Sequence, residues 1–509
     1  MTEIIKNNWT DQTFPIQVGH WIEQFNSLTA LVDGDKRYTY GQLGGAVNAC
    51  CEHFISSGLK KGRRAAVQMS NHAEFVTVVL SLLVIGVMPV LILPSQNSVE
   101  VEGIVKAADP DIYICDVKSE LSARMATENN MVCGVRDKAF FSEILSDAPS
   151  VDKLSYADLS LKHDDIALFL LSGGTTGIPK LIPRTHGDYL YNARIISERM
   201  RLSSGSRFLA VIPLAHNFAL ANPGLLGTLL SGGTTVMCPD AAPIEIFSLI
   251  DEEKITYTCI VPAILKMCME YRMIDDSDDL SSLELILVGG AMLPEETARK
   301  TDSFFDAKLI QVFGTAEGLI CTNTPDDDFE TRVTSQGKPI SKYDIIRIVD
   351  ENGFDVPEGD SGELITKGPY TIRGYYKLSN NGSYFNEDGF YLTGDKAYIT
   401  DGNIHIIGRT REQINRAGEK IMPSELEEMI QCHESVIDCA VVGTPDDILG
   451  QRISAFVTCR SSVDKESLRQ FLTDAGLASF KLPDDVTVLR SFPYTAAGKI
   501  DKKKLVSGQ

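Results

Sequence analysis

Short runs of aliphatic residues recur along the first part of the chain, each bounded by polar or turn-forming residues: Ala65–Met69, Val90–Leu93, Ile112–Cys115, Ile166–Leu171, Phe208–Ile212, Thr234–Cys238 and Leu285–Val288. Unbroken apolar runs of this length mark strands buried on both faces, because a half-exposed strand alternates apolar and polar residues. Between several of them lie stretches of helical period, such as Glu74–Ile85 and Pro243–Glu252. Strand and helix in alternation predict parallel α/β sheets with helices on their faces. From about Gly337 the pattern changes to short strands and Gly/Asp turns, as in DENGFDVPEGDSGELITKG and NEDGFYLTGD, which predicts an antiparallel β unit. Beyond Glu412 it changes again. SELEEMIQCHESV reads as a helix capped by Ser424, DCAVVG and ISAFVTC as strands, and Lys465–Ala475 as a further helix.

The expected architecture is therefore α/β: a large N-terminal domain over 1–410, built of α/β subdomains with a β-rich part from about 337, and a small α+β domain over 413–509. Phe75–Leu93 carries no charge and approaches the length of a membrane span, but Gly86 and Pro89 interrupt it. A buried helix, a turn and a buried strand account for it better.

Charge narrows the choice of partners. With 69 acidic against 48 basic residues the net charge is −21, so the overall field repels nucleic acid and anionic membrane, and an anionic substrate must be captured by local donors. The 11 cysteines are scattered, odd in number and without a C-x-x-C pair, which suits a reducing cytoplasm. No histidine falls in a ligand spacing such as H-x-x-x-H, so no zinc site is expected. The opening MTEIIKNNWTDQ has no basic stretch followed by an apolar core, so no signal peptide is read there.

The segment that carries chemistry is LSGGTTGIPK, Leu171–Lys180, which follows an apolar strand. Ser172, Gly173, Gly174, Thr175, Thr176 and Gly177 leave backbone N–H groups and hydroxyls free to surround a phosphate, and Lys180 adds positive charge. A flexible Gly/Ser/Thr turn has the same composition. The loop closes with Ile178-Pro179-Lys180 and so departs from the G-x-x-x-x-G-K-[ST] P-loop.

Extended as LIPRTHGDY, this segment resembles the nucleotide-loop signature of the adenylate-forming superfamily of acyl-CoA synthetases, luciferases and nonribosomal adenylation domains. The resemblance recurs in order through QVFGTAEG (311–318), GELITKGPYTIRGYY (362–376), YLTGD (391–395), GRTREQINRAGEKIMPSELE (408–427) and PYTAAGKID (493–501). It is closest to the free-standing aryl-acid ligases of siderophore assembly, through LIPRTH, AHNFALANPG (215–224) and Ala316, where most relatives carry threonine. The resemblance implies activation of 2,3-dihydroxybenzoate, salicylate or a similar acid by ATP and Mg2+, with release of pyrophosphate. It then implies transfer to the phosphopantetheine thiol of a separate carrier protein.

Each residue takes its role from that resemblance. Lys499, otherwise an ordinary solvated lysine, is implied to bridge the carboxylate and the α-phosphate, and His216 shares the catalytic site. Glu317, which by itself would only favour a first helical turn, is the implied magnesium ligand. Nucleotide contacts are implied for Ser172–Gly177, Lys180, Gly290, Gly314 and Thr315, with Asp395 and Arg409 at the ribose. Glu412 occupies the hinge at 411–412, where most relatives carry aspartate or lysine, and lets the small domain move as a lid; Arg416 and Gly418 would then face the pantetheine arm.

The implied acid pocket comprises His216, Asn217, Phe218, Asn222, Ala291, Val312 and Ile320. Asn217 can offer an amide to an ortho hydroxyl or amino group, and Phe218, Val312 and Ile320 give apolar ring contacts. In 2,3-dihydroxybenzoate enzymes of the group, serine commonly stands at the position of Asn222 and valine at that of Ile320. The buried amide of Asn222 therefore needs a partner from the acid, a water or a neighbouring side chain, and salicylate and 2,3-dihydroxybenzoate rank nearly level. Two other readings remain: an acyl-CoA synthetase using coenzyme A as acceptor, and a noncatalytic scaffold that kept the fold.

Overall fold

A computed structural model describes residues 13–128, 131, 133–156, 160–172, 180–378, 382, 384–416, 419–446, 449–495 and 498–507. Two largely parallel sheets form the framework. The six-stranded sheet runs in the order Val135–Asp137, Ile112–Cys115, Arg64–Gln68, Met88–Leu91, Ile166–Leu171 and Leu181–Thr185, parallel except for the last pair. The nine-stranded sheet runs Lys338–Pro339, Ile320–Thr322, Lys308–Gly314, Leu285–Gly289, Tyr257–Ile260, Arg207–Ala210, Thr234–Met237, Thr29–Asp33 and Lys36–Thr39. Its six central strands are parallel, and antiparallel pairs close both edges. A core that includes Phe75, Leu168, Tyr189, Phe208, Phe218 and Ile320 lies between the sheets, as continuous apolar strands flanked by helices require.

The uncharged stretch from Phe75 resolves into the helix Ala73–Val84, a turn at Gly86 and the strand Met88–Leu91. No helix among the described residues is long and apolar enough to cross a membrane. The strand begins two residues earlier than its aliphatic run, so Pro89 lies inside it, paired with Ala65. The ladder to the opposite neighbour involves only Val90 and Phe169, so the missing N–H of Pro89 interrupts no bond there.

An antiparallel sheet of Ile345–Val349, Gly362–Lys367, Tyr391–Thr400 and Asn403–Arg409 follows. The last sheet is built from Glu419–Ile421, Ile414–Arg416, Gly450–Cys459, Val436–Asp446 and Asp485–Val488, and its core from Ile414 to Leu482 draws on this segment alone. Its first helix, Pro423–Gln431, corrects one expectation: the N-cap is Met422, with no side-chain cap, and Ser424 lies inside the first turn. Proline at the first helical position, with its preset φ, starts the helix, and the Ser424 hydroxyl instead donates to the Ile407 carbonyl.

One buried group makes the large unit sensitive to pH. His186 is fully buried, accepts the Phe14 N–H on Nδ1 at 3.3 Å, and burial lowers its pKa to about 4. The unfolded chain takes up this proton near pH 6.5 and the folded chain only near 4, so stability present at neutral pH is lost as pH falls through that window. His186→Gln should shed roughly 2 kcal/mol of the acid-induced loss between pH 7 and 5. Urea unfolding of both proteins at the two pH values measures it, and equal losses would contradict the assignment.

Candidate active site

The loop that the sequence marks for phosphate joins two antiparallel strands, Ile166–Leu171 and Leu181–Thr185. Its ends are tied together: the Ser172 N–H donates to the Lys180 carbonyl, and the Lys180 N–H donates to Ser172 Oγ, both at 3.0 Å. Gly173, Gly174, Thr175, Thr176 and Gly177 lie outside the described residues. The Lys180 ammonium sits 3.8 Å from the centroid of the Tyr384 ring and 4.3 Å from that of Tyr375, two cation–π contacts to a T-shaped pair of rings that hold a long side chain by its charge.

The return strand leads into the helix His186–Arg199 through a capping box, in which Thr185 Oγ1 accepts the Asp188 N–H and Asp188 accepts the Thr185 N–H. Arg184, just before it, is almost fully buried. Its Nε lies 2.9 Å from Asp188 Oδ1, one of its terminal nitrogens donates to the Ala316 carbonyl at 3.1 Å, and its guanidinium lies 4.8 Å from the centroid of Tyr189.

Ala316 belongs to the turn that carries Glu317. Thr315 Oγ1 accepts N–H bonds from Gly318 and Leu319, so it shapes the turn. At Gly318 φ is +124°, and a Cβ there would lie 2.2 Å from the Tyr370 carbonyl, so this position excludes a side chain. Glu317 is buried; Oε1 accepts the Tyr375 hydroxyl at 2.7 Å, and no hydrogen bond among the described residues reaches Oε2. Tyr375 therefore contacts both Lys180 and Glu317.

Asp395 and Arg409 are cross-strand partners with Nε 3.1 Å from Oδ1. Asp395 is buried, its N–H donates to Thr393 Oγ1, and Oδ2 has no partner among the described residues. Burial raises its carboxyl pKa, against the pull of Arg409 and Lys499, and Asp395 in turn raises that of Arg409.

Lys499 lies in a turn closed by the Thr495 N–H on its carbonyl at 2.7 Å. Its Cε would be 4.0 Å from a Cβ at Gly290, where φ is +83°; glycine there accommodates both the turn and the lysine. Although Lys499 is exposed, protein around its ammonium lowers the pKa, as does Arg409, while Asp395 and Glu412 oppose the change. His216 caps the short helix Asn217–Ala221 by accepting the Phe218 N–H on Nδ1. Burial and the nearby Lys499 lower its pKa to about 4, so at neutral pH the ring is uncharged. Lys499, His216, Gly290, Asp395 and Arg409 are thus gathered in one place from distant parts of the chain.

Phe218, Val312 and Ile320 are buried in one cluster. Val312 pairs with Gly289, and Ile320 pairs with Gly314 at the end of its strand. Asn222 is buried and already satisfied: Oδ1 accepts from Asn192 Nδ2 at 2.8 Å, and Nδ2 donates to the Asn217 carbonyl at 3.0 Å. Its partner is a neighbouring side chain, and the acid is not required to supply one. Ala291 is exposed beside Gly290.

Two residues stand apart. Arg416 is committed to Asp484 through two bonds, at 2.9 and 2.7 Å, while Gly418 lies outside the described residues. Glu412 is exposed in a single 3-10 turn, Thr410–Glu412, where Lys502 reaches it at 3.2 Å. Sequence reasoning missed Arg184, Tyr189, Asn192 and Tyr375, although Arg184, Tyr189 and Tyr375 lie inside motifs it quoted.

Comparison with known proteins shows the family. Residues 18–376 match the AMP-binding enzyme family and residues 425–499 the AMP-binding enzyme C-terminal domain. The chain is 38% identical to the 2,3-dihydroxybenzoate-AMP ligase of Bacillus subtilis (strain 168), over 98% of this chain and 94% of that protein. It is 36% identical to a salicylyl-CoA synthase / salicylate adenylyltransferase of a Streptomyces species, with the same coverage. Among solved structures, apo MbtA of Mycobacterium smegmatis superposes with a TM-score of 0.74 at 35% identity, covering 98% of this chain and 95% of that one. With the motifs in order, the fold in register and both family models matched, the chain belongs to the AMP-binding enzymes of the adenylate-forming superfamily, close to its aryl-acid AMP ligases.

Proposed function

We propose that the protein activates an aromatic carboxylic acid of the 2,3-dihydroxybenzoate or salicylate type with ATP and Mg2+, then passes the aryl group to the phosphopantetheine thiol of a carrier protein. The observation that carries this reading is the convergence of Lys499, Asp395 and Arg409 next to the buried apolar side chains of Phe218 and Val312, which meet at Gly289 while Lys499 meets the adjoining Gly290. A carboxylate oxygen attacks the α-phosphorus, the bond to the β-phosphate breaks, and pyrophosphate leaves. Two anions must approach, so the site needs fixed positive charge where negative charge grows. Lys499 supplies it at the reacting oxygens.

The residues present suit a nucleotide. The orphan Asp395 Oδ2 is a buried acceptor for ribose hydroxyls, and Arg409 neutralises the same carboxyl. Glu317 offers Oε2 to a hard cation while Tyr375 holds Oε1; when bound, magnesium would offset polyphosphate charge. The neutral His216 adds no cation that would compete for the carboxylate. In the second half reaction the thiol sulfur attacks the acyl carbon and AMP leaves. Lys499 must then withdraw, and we assign the pivot to Glu412, between an N-terminal domain over 1–410 and a lid over 413–509. Arg416 and Gly418 would face the pantetheine arm after that rotation. Coenzyme A is the alternative acceptor, to be compared directly with a loaded carrier.

Two variants test this division of labour. Lys499→Ala should lower pyrophosphate exchange by several orders of magnitude, about 3 to 4 kcal/mol or more of lost transition-state stabilisation, yet largely spare thioester formation from preformed aryl-AMP. Equal loss in both half reactions would refute the role. Glu412→Pro, which fixes φ near −65° and removes an N–H, should keep exchange and stall thioester formation. Normal thioester yield would move the pivot elsewhere.

A further inference from the structure

The helix His186–Arg199 presents Tyr189 and Asn192 three residues apart, hence on one face, and both are buried. Each holds an asparagine of the assigned acid pocket. Asn192 Nδ2 donates to Asn222 Oδ1 and, at 3.2 Å, to the Ala221 carbonyl. Asn222 Nδ2 donates to the Asn217 carbonyl. Backbone carbonyls only accept, so neither Asn192 nor Asn222 can turn its amide round without leaving a bond unmade.

The same logic fixes Asn217. The Tyr189 hydroxyl donates to Asn217 Oδ1 at 2.9 Å, and among the described residues this is the only acceptor its hydrogen has. The ring itself is contacted by Arg184, whose guanidinium lies 4.8 Å from its centroid. Turning the Asn217 amide would let an N–H donate to the phenol oxygen but would leave the buried phenol hydrogen without an acceptor among the described residues. No hydrogen bond among the described residues uses Asn217 Nδ2, and Asn217 is only half-buried.

We propose that Tyr189 is a positioning residue for acid selection: by occupying Asn217 Oδ1 it leaves Asn217 with only N–H donors to present, so the site selects an ortho substituent that accepts a hydrogen bond. An ortho hydroxyl meets this condition, because it can give its hydrogen to its own carboxylate and still offer oxygen lone pairs. An ortho amino group does not, because its single lone pair is delocalised into the ring and its hydrogens meet other donors. The inference rests on the aryl-acid reading and narrows its substrate class to ortho-hydroxy acids.

The test is kcat/KM in pyrophosphate exchange for salicylate and anthranilate, on the wild-type protein and on Tyr189→Phe, with ATP KM and melting temperature measured alongside. The wild type should favour salicylate by about tenfold or more, since sites built to hydrogen-bond a substituent discriminate strongly. In Tyr189→Phe the amide is free to turn, and the ratio should fall at least about fivefold, mainly through a gain for anthranilate, with ATP KM nearly constant. A merely structural role would lower both acids together and leave the ratio unchanged, which would overturn the proposal. The wild type carries a second arm that does not depend on the variant folding: 2-fluorobenzoate, which accepts but cannot donate, should exceed anthranilate, and the reverse order would also overturn it. Exchange with none of these acids would remove the aryl-acid reading, and this inference with it; exchange with a wild-type ratio near one would remove the inference alone.

Discussion

A single buried cation connects the parts of this site. Arg184 lies on the return strand of the loop hairpin, pairs with Asp188 in the capping box, donates to the carbonyl preceding Glu317 and makes a cation–π contact with Tyr189. The loop hairpin, the Glu317 turn and the helix that carries Tyr189 are thus referenced to one guanidinium. The planar fork allows it: several N–H donors at fixed angles reach two partners at once, which a lysine ammonium on a flexible stem would not do in the same geometry. Stranding either charge in this interior would typically cost about 3 to 5 kcal/mol, so the arrangement is held as a unit.

The same electrostatic problem governs the rest of the site. In a chain of net charge −21, the reaction needs cations where two anions meet, and the three proposed for it come from separate elements: Lys180 from the loop, Arg409 from the antiparallel sheet, Lys499 from the last segment. Lys180 is held against two aromatic rings and Arg409 is matched to Asp395. Lys499 is the one carried by a turn of the small unit. Ion pairs join that unit to the helix Pro262–Arg272, at Lys266–Asp438 and Arg460–Glu270. Such partly exposed pairs are individually weak, which suits an interface that the proposed lid motion must break.

Much of the fold was legible because its strands are continuously apolar and its helices start at recognisable signals. Ile112–Cys115 and Ile166–Leu171 appear with the bounds their composition predicts. The hairpin Thr29–Asp33 and Lys36–Thr39 was overlooked although Asp33-Gly34 marks its turn, and Ser424 was misread because proline one residue earlier starts that helix. In the site, the ordered motifs singled out Lys499, Asp395, Arg409 and Glu317, of which the structure brings the first three together. They did not reveal that Asn192 satisfies Asn222, that Tyr189 holds Asn217, or that Tyr375 stands between Lys180 and Glu317. Those bonds join residues 28 to 58 positions apart and depend on which helix face meets which turn, information that no local pattern contains.

The central claim is that this site joins an aromatic acid to the α-phosphate of ATP. Pyrophosphate exchange into ATP, driven by a panel of aromatic and aliphatic acids with magnesium present, tests it most directly. The account predicts rapid exchange with salicylate and 2,3-dihydroxybenzoate, little with benzoate and none with aliphatic acids. Exchange driven best by an aliphatic acid, or by no acid at all, would contradict it.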